Sequence, residues 1–395
     1  VVVKVEGAYR LSQGPGVDEL AGPVTRTRSG FSKSNSNLVE ILESMPGVAV
    51  LELGGDEGPW MVSVRGDSGP GAAVYLDGIL LNDPLGRVPD LSGIPLAMVD
   101  EVTVYRGSAP AGYAMAGTAG VIDIRTRPAG ADRELQGKTS FDSLSTLSVS
   151  GVVTGKALNG SGMAGASYEG GPAKFPYTDD RGTFQSGRDD RSAERDNNAF
   201  NDYDVMVKWE RKAGGYRLYT GTYYQQRARE LPGQGFQDVD GAKERSETVL
   251  AYAGVKRPGA FNLPDLDLEV RTHALQERTW FSDEDGELGP PRDDIDLRTR
   301  LGVDLYAYYY GLRNNTISLF TGFYQDEYRP DSKLDPKVNQ ILCSRASIFF
   351  TGADEITLLS GRLKLKPRVR YTYEGNTYKG NTLAAQAGTA DDTAS

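Results

Sequence analysis

Residues 37–50 read NLVEILESMPGVAV. Leu38, Ile41, Leu42 and Met45 fall at i, i+3, i+4 and i+7, one apolar stripe that predicts a short helix over 38–45. Asn37 is placed to cap it, Glu40 stands where a capping box needs a carboxylate, and Pro46-Gly47 stops it. Outward from this helix, short apolar runs predict strands at 48–51, 60–64, 73–76, 100–105 and 120–125. Turn chemistry lies between them at Gly54-Gly55, Ser68-Gly69-Pro70-Gly71, Asp77-Gly78 and Asn82-Asp83-Pro84. One helix among short strands is a small α+β unit, assigned to residues 1–130.

From 131 to 373 the texture changes to period-two alternation. Asp265, Asp267, Glu269, Arg271 and His273 alternate with Leu266, Leu268, Val270, Thr272 and Ala274. Leu297, Thr299, Leu301, Val303 and Leu305 alternate with Arg298, Arg300, Gly302 and Asp304. A soluble sandwich and a membrane barrel both alternate in this way. Three features favour the barrel. Segments such as 265–281 far exceed the ~5–6 residues usual in globular strands. Tyr and Trp gather at segment ends, as at Trp280, Tyr308–Tyr310, Tyr371 and Tyr373, like interfacial girdles. Tight connections (212–215, 312–315) alternate with long ones (170–201, 231–245), the barrel habit. Strands are expected at 135–141, 146–153, 161–169, 201–211, 216–229, 246–257, 265–281, 295–310, 316–328, 341–352 and 356–373, with 374–395 a polar outer-loop tail. Leu266, Leu268, Val270, Leu301, Val303 and Leu305 should face lipid, and Glu269, Arg271, Arg298 and Arg300 the lumen.

Composition removes other classes. One Cys (Cys343) and one His (His273) allow neither an internal disulfide nor a His/Cys zinc site. With 44 basic against 54 acidic residues, net −10, the chain is a poor nucleic-acid binder. No apolar run approaches the ~20 residues of a membrane helix. His273 lies in a charged row with no nucleophile paired to it, so no catalytic centre is assigned, and Cys343 is read as an inert wall residue.

The first region resembles the plug domain of TonB-dependent outer-membrane receptors. The resemblance is carried by NLVEILESMPGVAV (37–50), VSVRG (62–66), VYLDGILLND (74–83), IPLAMVDEVTVYRG (94–107) and YAMAGTAGVIDIRT (113–126). They are similar, in order, to that family's helix with "PGV" turn, "IRG" strand, "DG" hairpin, "IP…RG" segment and "YG…GGVINI" ending. Ala114, where the family has Gly, and Ala119-Gly120, where it has Gly-Gly, depart from the pattern. The fold implied is a small α+β plug inside a transmembrane antiparallel β-barrel of the bacterial outer membrane. The chain supplies about 11 strands, half of the 22 of a plugged transporter. Bare strand edges in lipid are costly. A second polypeptide, separately encoded or a cleaved C-terminal half, is therefore expected to complete the wall.

The resemblance also implies the sites. Three plug apices would meet the ligand through Gly54, Gly55, Asp56, Glu57 and Trp60, through Asp67 and Ser68, and through Asn82, Asp83 and Arg87. Arg65, Glu101 and Arg106 would lock the plug in place. Val1, Val2 and Val3 are similar to the end of a TonB box, which pairs with TonB by strand addition. Asp283, Glu284, Asp285 and Glu287 are the candidate calcium ligands, set against the preferred reading of a solvated outer loop. The basic stripe at 362–370 is read as a contact for the acidic plug. The implied function is TonB-energised import of a scarce small-molecule, glycan or peptide ligand, without covalent chemistry or cofactor. The alternative is a surface receptor or assembly component that does not transport.

Overall fold

A computed structural model describes residues 23–31, 37–52, 60–66, 72–82, 89, 91, 94–106, 109, 112–113, 119–183, 187–233, 237, 239–336, 338, 341–359 and 362–379. The chain divides into two compact units, Val1–Ser92 with Val99–Thr126, and Gly93–Met98 with Arg127–Ser395.

The first unit contains β1 (Val24–Thr27), α1 (Leu38–Glu43), β2 (Val48–Glu52), β3 (Trp60–Val64), β4 (Ala72–Leu76), β5 (Ile79–Leu80), β6 (Val99–Tyr105) and β7 (Gly120–Thr126). The helix forms where the stripe requires it. The Asn37 side chain accepts from the Glu40 N–H at 3.0 Å, and Leu38, Ile41, Leu42 and Met45 are buried. It ends at Glu43, two residues before the expected end, because Ser44 takes the cap and its hydroxyl donates to the Ile41 carbonyl at 2.7 Å. A five-stranded sheet runs in the order β1-β6-β7-β4-β5, with β4 and β7 parallel and β2–β3 a separate hairpin. Every residue of β4 is buried, as a central strand covered on both faces must be. Asp77-Gly78 makes the two-residue turn into β5 with both φ positive, 51° and 78°. The Asp77 carboxylate then accepts from the Thr126 N–H (2.9 Å) and hydroxyl (2.7 Å), tying that turn to the end of β7.

The second unit is one antiparallel sheet. Its strands are β8 (Glu134–Phe141), β9 (Leu147–Ala157), β10 (Gly160–Gly171), β13 (Phe200–Ala213), β14 (Tyr216–Glu230), β15 (Lys243–Arg257), β16 (Leu266–Asp283), β17 (Arg292–Leu312), β18 (Asn315–Ser332), β19 (Leu342–Leu358), β20 (Leu363–Leu365) and β21 (Arg368–Lys379). A small hairpin of β11 (Pro176–Asp179) and β12 (Arg191–Glu194) stands in the connection between β10 and β13. Each wall strand pairs with the next in sequence, and β20 and β21 share the far side of β19. These two pieces form one eleventh row, interrupted at Lys366-Pro367, where proline has no N–H for the ladder. The expected strand at 356–373 is therefore corrected: residues 356–358 belong to β19, the ladder resumes at Leu363, and β21 continues to Lys379, into the expected tail. The connections after β9, β13, β15, β17 and β19, from two to eight residues, lie at one end of the sheet, the short-turn end; those after β8, β10, β14, β16 and β18, from five to 28 residues, lie at the other.

The faces divide as the alternation requires. Val270, Leu301, Val303 and Leu305 are exposed, while Arg271, Arg298 and Arg300 are buried. Leu266, Leu268 and Glu269 are half-buried. Position 300 is not a permissive lumen site, however. The Arg300 Nε donates to Asp326 Oδ1 at 2.7 Å, with both side chains 3% exposed.

Val303→Arg should impair assembly by roughly 2–4 kcal/mol, the cost of a midplane cation in lipid. Arg300→Val should cost about 3–5 kcal/mol by stranding a buried carboxylate, and Arg300→Val with Asp326→Val should recover most of it. Urea titration of refolding into vesicles, read by heat-modifiable gel mobility, checks both.

Candidate functional site

The first unit is the place to build the site. Among the expected apex residues, Gly54, Gly55, Asp56, Glu57, Asp67, Ser68, Asp83 and Arg87 lie outside the described residues, as do Val1, Val2 and Val3. Trp60 opens β3, where it pairs with Glu52. Asn82 is 3% exposed and its amide is engaged within the unit: Oδ1 accepts from the Val74 N–H at 2.7 Å and Nδ2 donates to the Ala72 carbonyl at 2.9 Å. It thus extends the ladder of β4 past the end of β5.

Two of the three expected lock residues come together. The Arg65 N–H donates to the Gly47 carbonyl at 2.8 Å from a backbone with φ 58°. The Arg106 Nη1 donates to the Pro46 carbonyl at 3.5 Å, and its Cδ lies 3.4 Å from where a Cβ on Gly47 would stand. Both arginines therefore meet the Pro46-Gly47 turn that ends α1. Glu101 sits elsewhere, on β6, in register with Thr27 and Arg125.

Sequence reading missed a buried polar cluster on the central strand of this sheet and its two neighbours. Asp123, 1% exposed on β7, accepts from the Arg125 Nε at 2.8 Å. Tyr113 packs edge-on to Tyr75, ring centroids 4.9 Å apart, and against Tyr105 at 5.5 Å. Burial raises the pKa of Asp123, with Arg125 opposing, and holds the Tyr113 hydroxyl well above its usual range, with Asp123 adding to the shift. A lone acid in the run VIDI was the available signal.

In the second unit the buried face is a lattice of cross-strand polar pairs. Arg271 donates to Asp304 Oδ2 through Nη2 (2.7 Å) and Nε (3.1 Å), and its Nη2 also donates to the Tyr306 hydroxyl at 2.6 Å. Tyr324 donates to the other oxygen of Asp304 at 3.0 Å. His273 stands edge-on to Tyr324 at 4.8 Å, its Nδ1 3.6 Å from Asp304. Its ring occupies the space a side chain at Gly302 would need, 2.2 Å from the missing Cβ. Asp204 gathers the Tyr223 hydroxyl, the Gln225 amide and the Ser167 hydroxyl at 2.6, 3.0 and 3.1 Å. Cys343 is half-buried on β19. On the basic stripe, the Arg370 Nε donates to the Thr351 hydroxyl at 3.3 Å, while Lys364 and Lys366 pair with Glu355 at 3.7 and 3.0 Å.

The acidic connection is held together by its own carboxylates. No group of three or more metal-ligating side chains among the described residues is arranged to hold an ion. Asp283 accepts from the Glu287 and Leu288 N–H groups at 2.7 and 2.9 Å. Glu287 accepts from the N–H groups of Asp240 and Gly241 at 3.1 and 2.8 Å. Their oxygens are engaged in folding this connection and joining it to its neighbour.

Comparison with known proteins fits this architecture. Residues 18–121 match the family model of the TonB-dependent receptor plug domain. The chain carries a TonB-dependent receptor plug. The chain is similar to the vitamin B12 transporter BtuB of Vibrio vulnificus (strain YJ016), 33% identical over 111 residues, 28% of this chain and 18% of that protein. The plug and wall together resemble solved receptors. The pyoverdine-bound FpvA of P. aeruginosa matches with TM-score 0.71 and 14% identity over 91% of this chain and 52% of its own. The FrpB iron transporter of Neisseria meningitidis gives 0.69, 13%, 91% and 62%, and the copper transporter OprC 0.65, 13%, 91% and 61%. This chain thus spans between half and two thirds of those solved chains, and its fold is theirs: a plug with a partial outer-membrane β-barrel. The matched proteins are transporters and receptors.

Asn82→Ala should cost the plug about 2–4 kcal/mol, since it leaves the buried Val74 N–H and Ala72 carbonyl without their partner. Faster hydrogen exchange at the Val74 amide checks it. Folded Asp123 holds its proton to higher pH than the unfolded chain does. Plug stability should therefore fall as pH rises from the ordinary carboxylate range through that raised value. Asp123→Asn should flatten the dependence in exchange measured across that window.

Proposed function

We propose that the chain is the plug and the first part of the barrel of a TonB-dependent importer, and that it does no covalent chemistry. The observation that carries this reading is the plug match over 18–121, joined to a wall whose apolar face is exposed. Four of the matched proteins are named for vitamin B12, ferric citrate, iron-loaded pyoverdine and copper. All bear a metal, so the favoured cargo is a metal ion or metal chelate. The plug, residues 1–130, would lie within the barrel. Its apices at 54–60, 67–71 and 83–87 would meet the cargo, while Asn82, buried against β4, would not. Arg65 and Arg106 would lock the plug in place, and the segment from Val1 would pair with TonB. Tension on that segment would then open a path. The wall, 131–373 with its extension to Lys379, would be closed by further strands, from a second polypeptide or from more of the same one.

Radiolabelled uptake decides between import and the alternative of a non-transporting receptor or assembly component. Cells expressing the receptor should accumulate labelled ferric chelate or cobalamin in a TonB-dependent manner. Surface binding of such a cargo without TonB-dependent accumulation would favour the alternative. Denaturing electrophoresis of the boiled receptor tests wall completion: two bands support a second polypeptide, and one band of roughly twice this mass refutes it.

A further inference from the structure

The two ends of the sheet differ in charge and in apolar exposure. Counting each connection with two residues on either side, the short-turn end holds eight basic residues against two acidic, and the long-connection end ten against eighteen. Lys156, Lys212, Arg313 and Arg362 at the short-turn end are exposed and make no ion pair among the described residues. The tips themselves are apolar. Leu158, Phe261 and Leu359 are 83%, 81% and 71% exposed, the largest such values away from the edge strands β8 and β21. All three hold left-handed backbone, with φ of 50°, 54° and 51°. Asn or Gly adopts that conformation at little cost, and a large apolar residue does not. An exposed, strained, apolar tip ringed by unpaired cations serves no purpose in water.

We propose that the short-turn end is a docking surface for anionic phospholipid in the leaflet it faces. The apolar tips enter the boundary between headgroups and acyl chains, and the cations engage the phosphates. Two observations select lipid over a protein partner. The tips continue the exposed apolar band of the wall: Val255 leads to Phe261 and Leu263, Tyr310 to Leu312, and Leu359 to Leu363 and Leu365, all at least 40% exposed. The positive charge complements an anionic headgroup, at about 1 kcal/mol per Lys or Arg near such a surface. This inference rests on the outer-membrane wall and is independent of whether the protein transports.

The test uses the purified receptor in nanodiscs of phosphatidylcholine containing a minor share of phosphatidylglycerol, with retained lipid read by native mass spectrometry. The receptor should retain phosphatidylglycerol in excess of its share, and Arg313→Ser with Arg362→Ser should lower that enrichment by roughly tenfold or more. Equal retention of the two lipids, or unchanged enrichment in the variant, overturns the proposal. A second variant stands if that one does not assemble. Phe261→Asn relieves the backbone strain, so a tip in water would be stabilised by it. A tip seated in lipid would instead lose thermal stability in phosphatidylglycerol vesicles. A lower melting temperature supports the proposal, and a higher one overturns it.

Discussion

Every peptide group of a strand that crosses hydrocarbon must find its partner on the neighbouring strand, because no water is there to replace it. That constraint governs the second unit. It demands long uninterrupted ladders, and β16 and β17 pair without a break from Leu266–Tyr309 to Asp283–Arg292. It also makes register critical, since a slip of one residue exchanges the two faces. The buried lattice protects that register. Arg271 with Asp304 and Arg300 with Asp326 join adjacent strands, and a slip would turn these guanidinium groups towards lipid.

The plug answers the opposite problem. A small sheet needs its core buried on both faces, so its polar groups are satisfied locally. Asp77 closes onto Thr126, Asn82 onto β4, and Asn37 onto the first turn of the helix. The Pro46-Gly47 turn is where these elements meet the two arginines. A left-handed backbone at Arg65 and at Gly66 brings the chain past Gly47.

Most of the wall was legible because its period is two and each face has one chemistry. The helix was legible from four apolar residues and a cap. Legibility failed where tertiary pairing overrides local pattern. β1 and β5 are too short to show a period and exist because β6 and β4 offer edges to them. The last strand was misplaced because Ile356–Leu358, which read as its start, complete the ladder of β19, and Leu359 after them is a residue that signals no strand end. The acidic connection reads as a solvated loop in one dimension, whereas Asp283 and Glu287 are aimed at backbone amides, a choice that residue type alone does not reveal. The same holds for the site itself. Motifs pointed to the two arginines at the Pro46-Gly47 turn, but not to the Asp123 cluster, whose acid sits in a strand that reads as ordinary core.

One dimension of the wall has a consequence for reach. β17 has 21 residues, a span of about 70 Å at ~3.3 Å per residue. A strand tilted by ~40° needs far less than that to cross an apolar band about 25 Å tall. With its short turns held at one boundary, β17 therefore overhangs the other by roughly 25 Å. The long connections ride on this rigid palisade, so a bulky visitor could engage them well clear of the lipid heads.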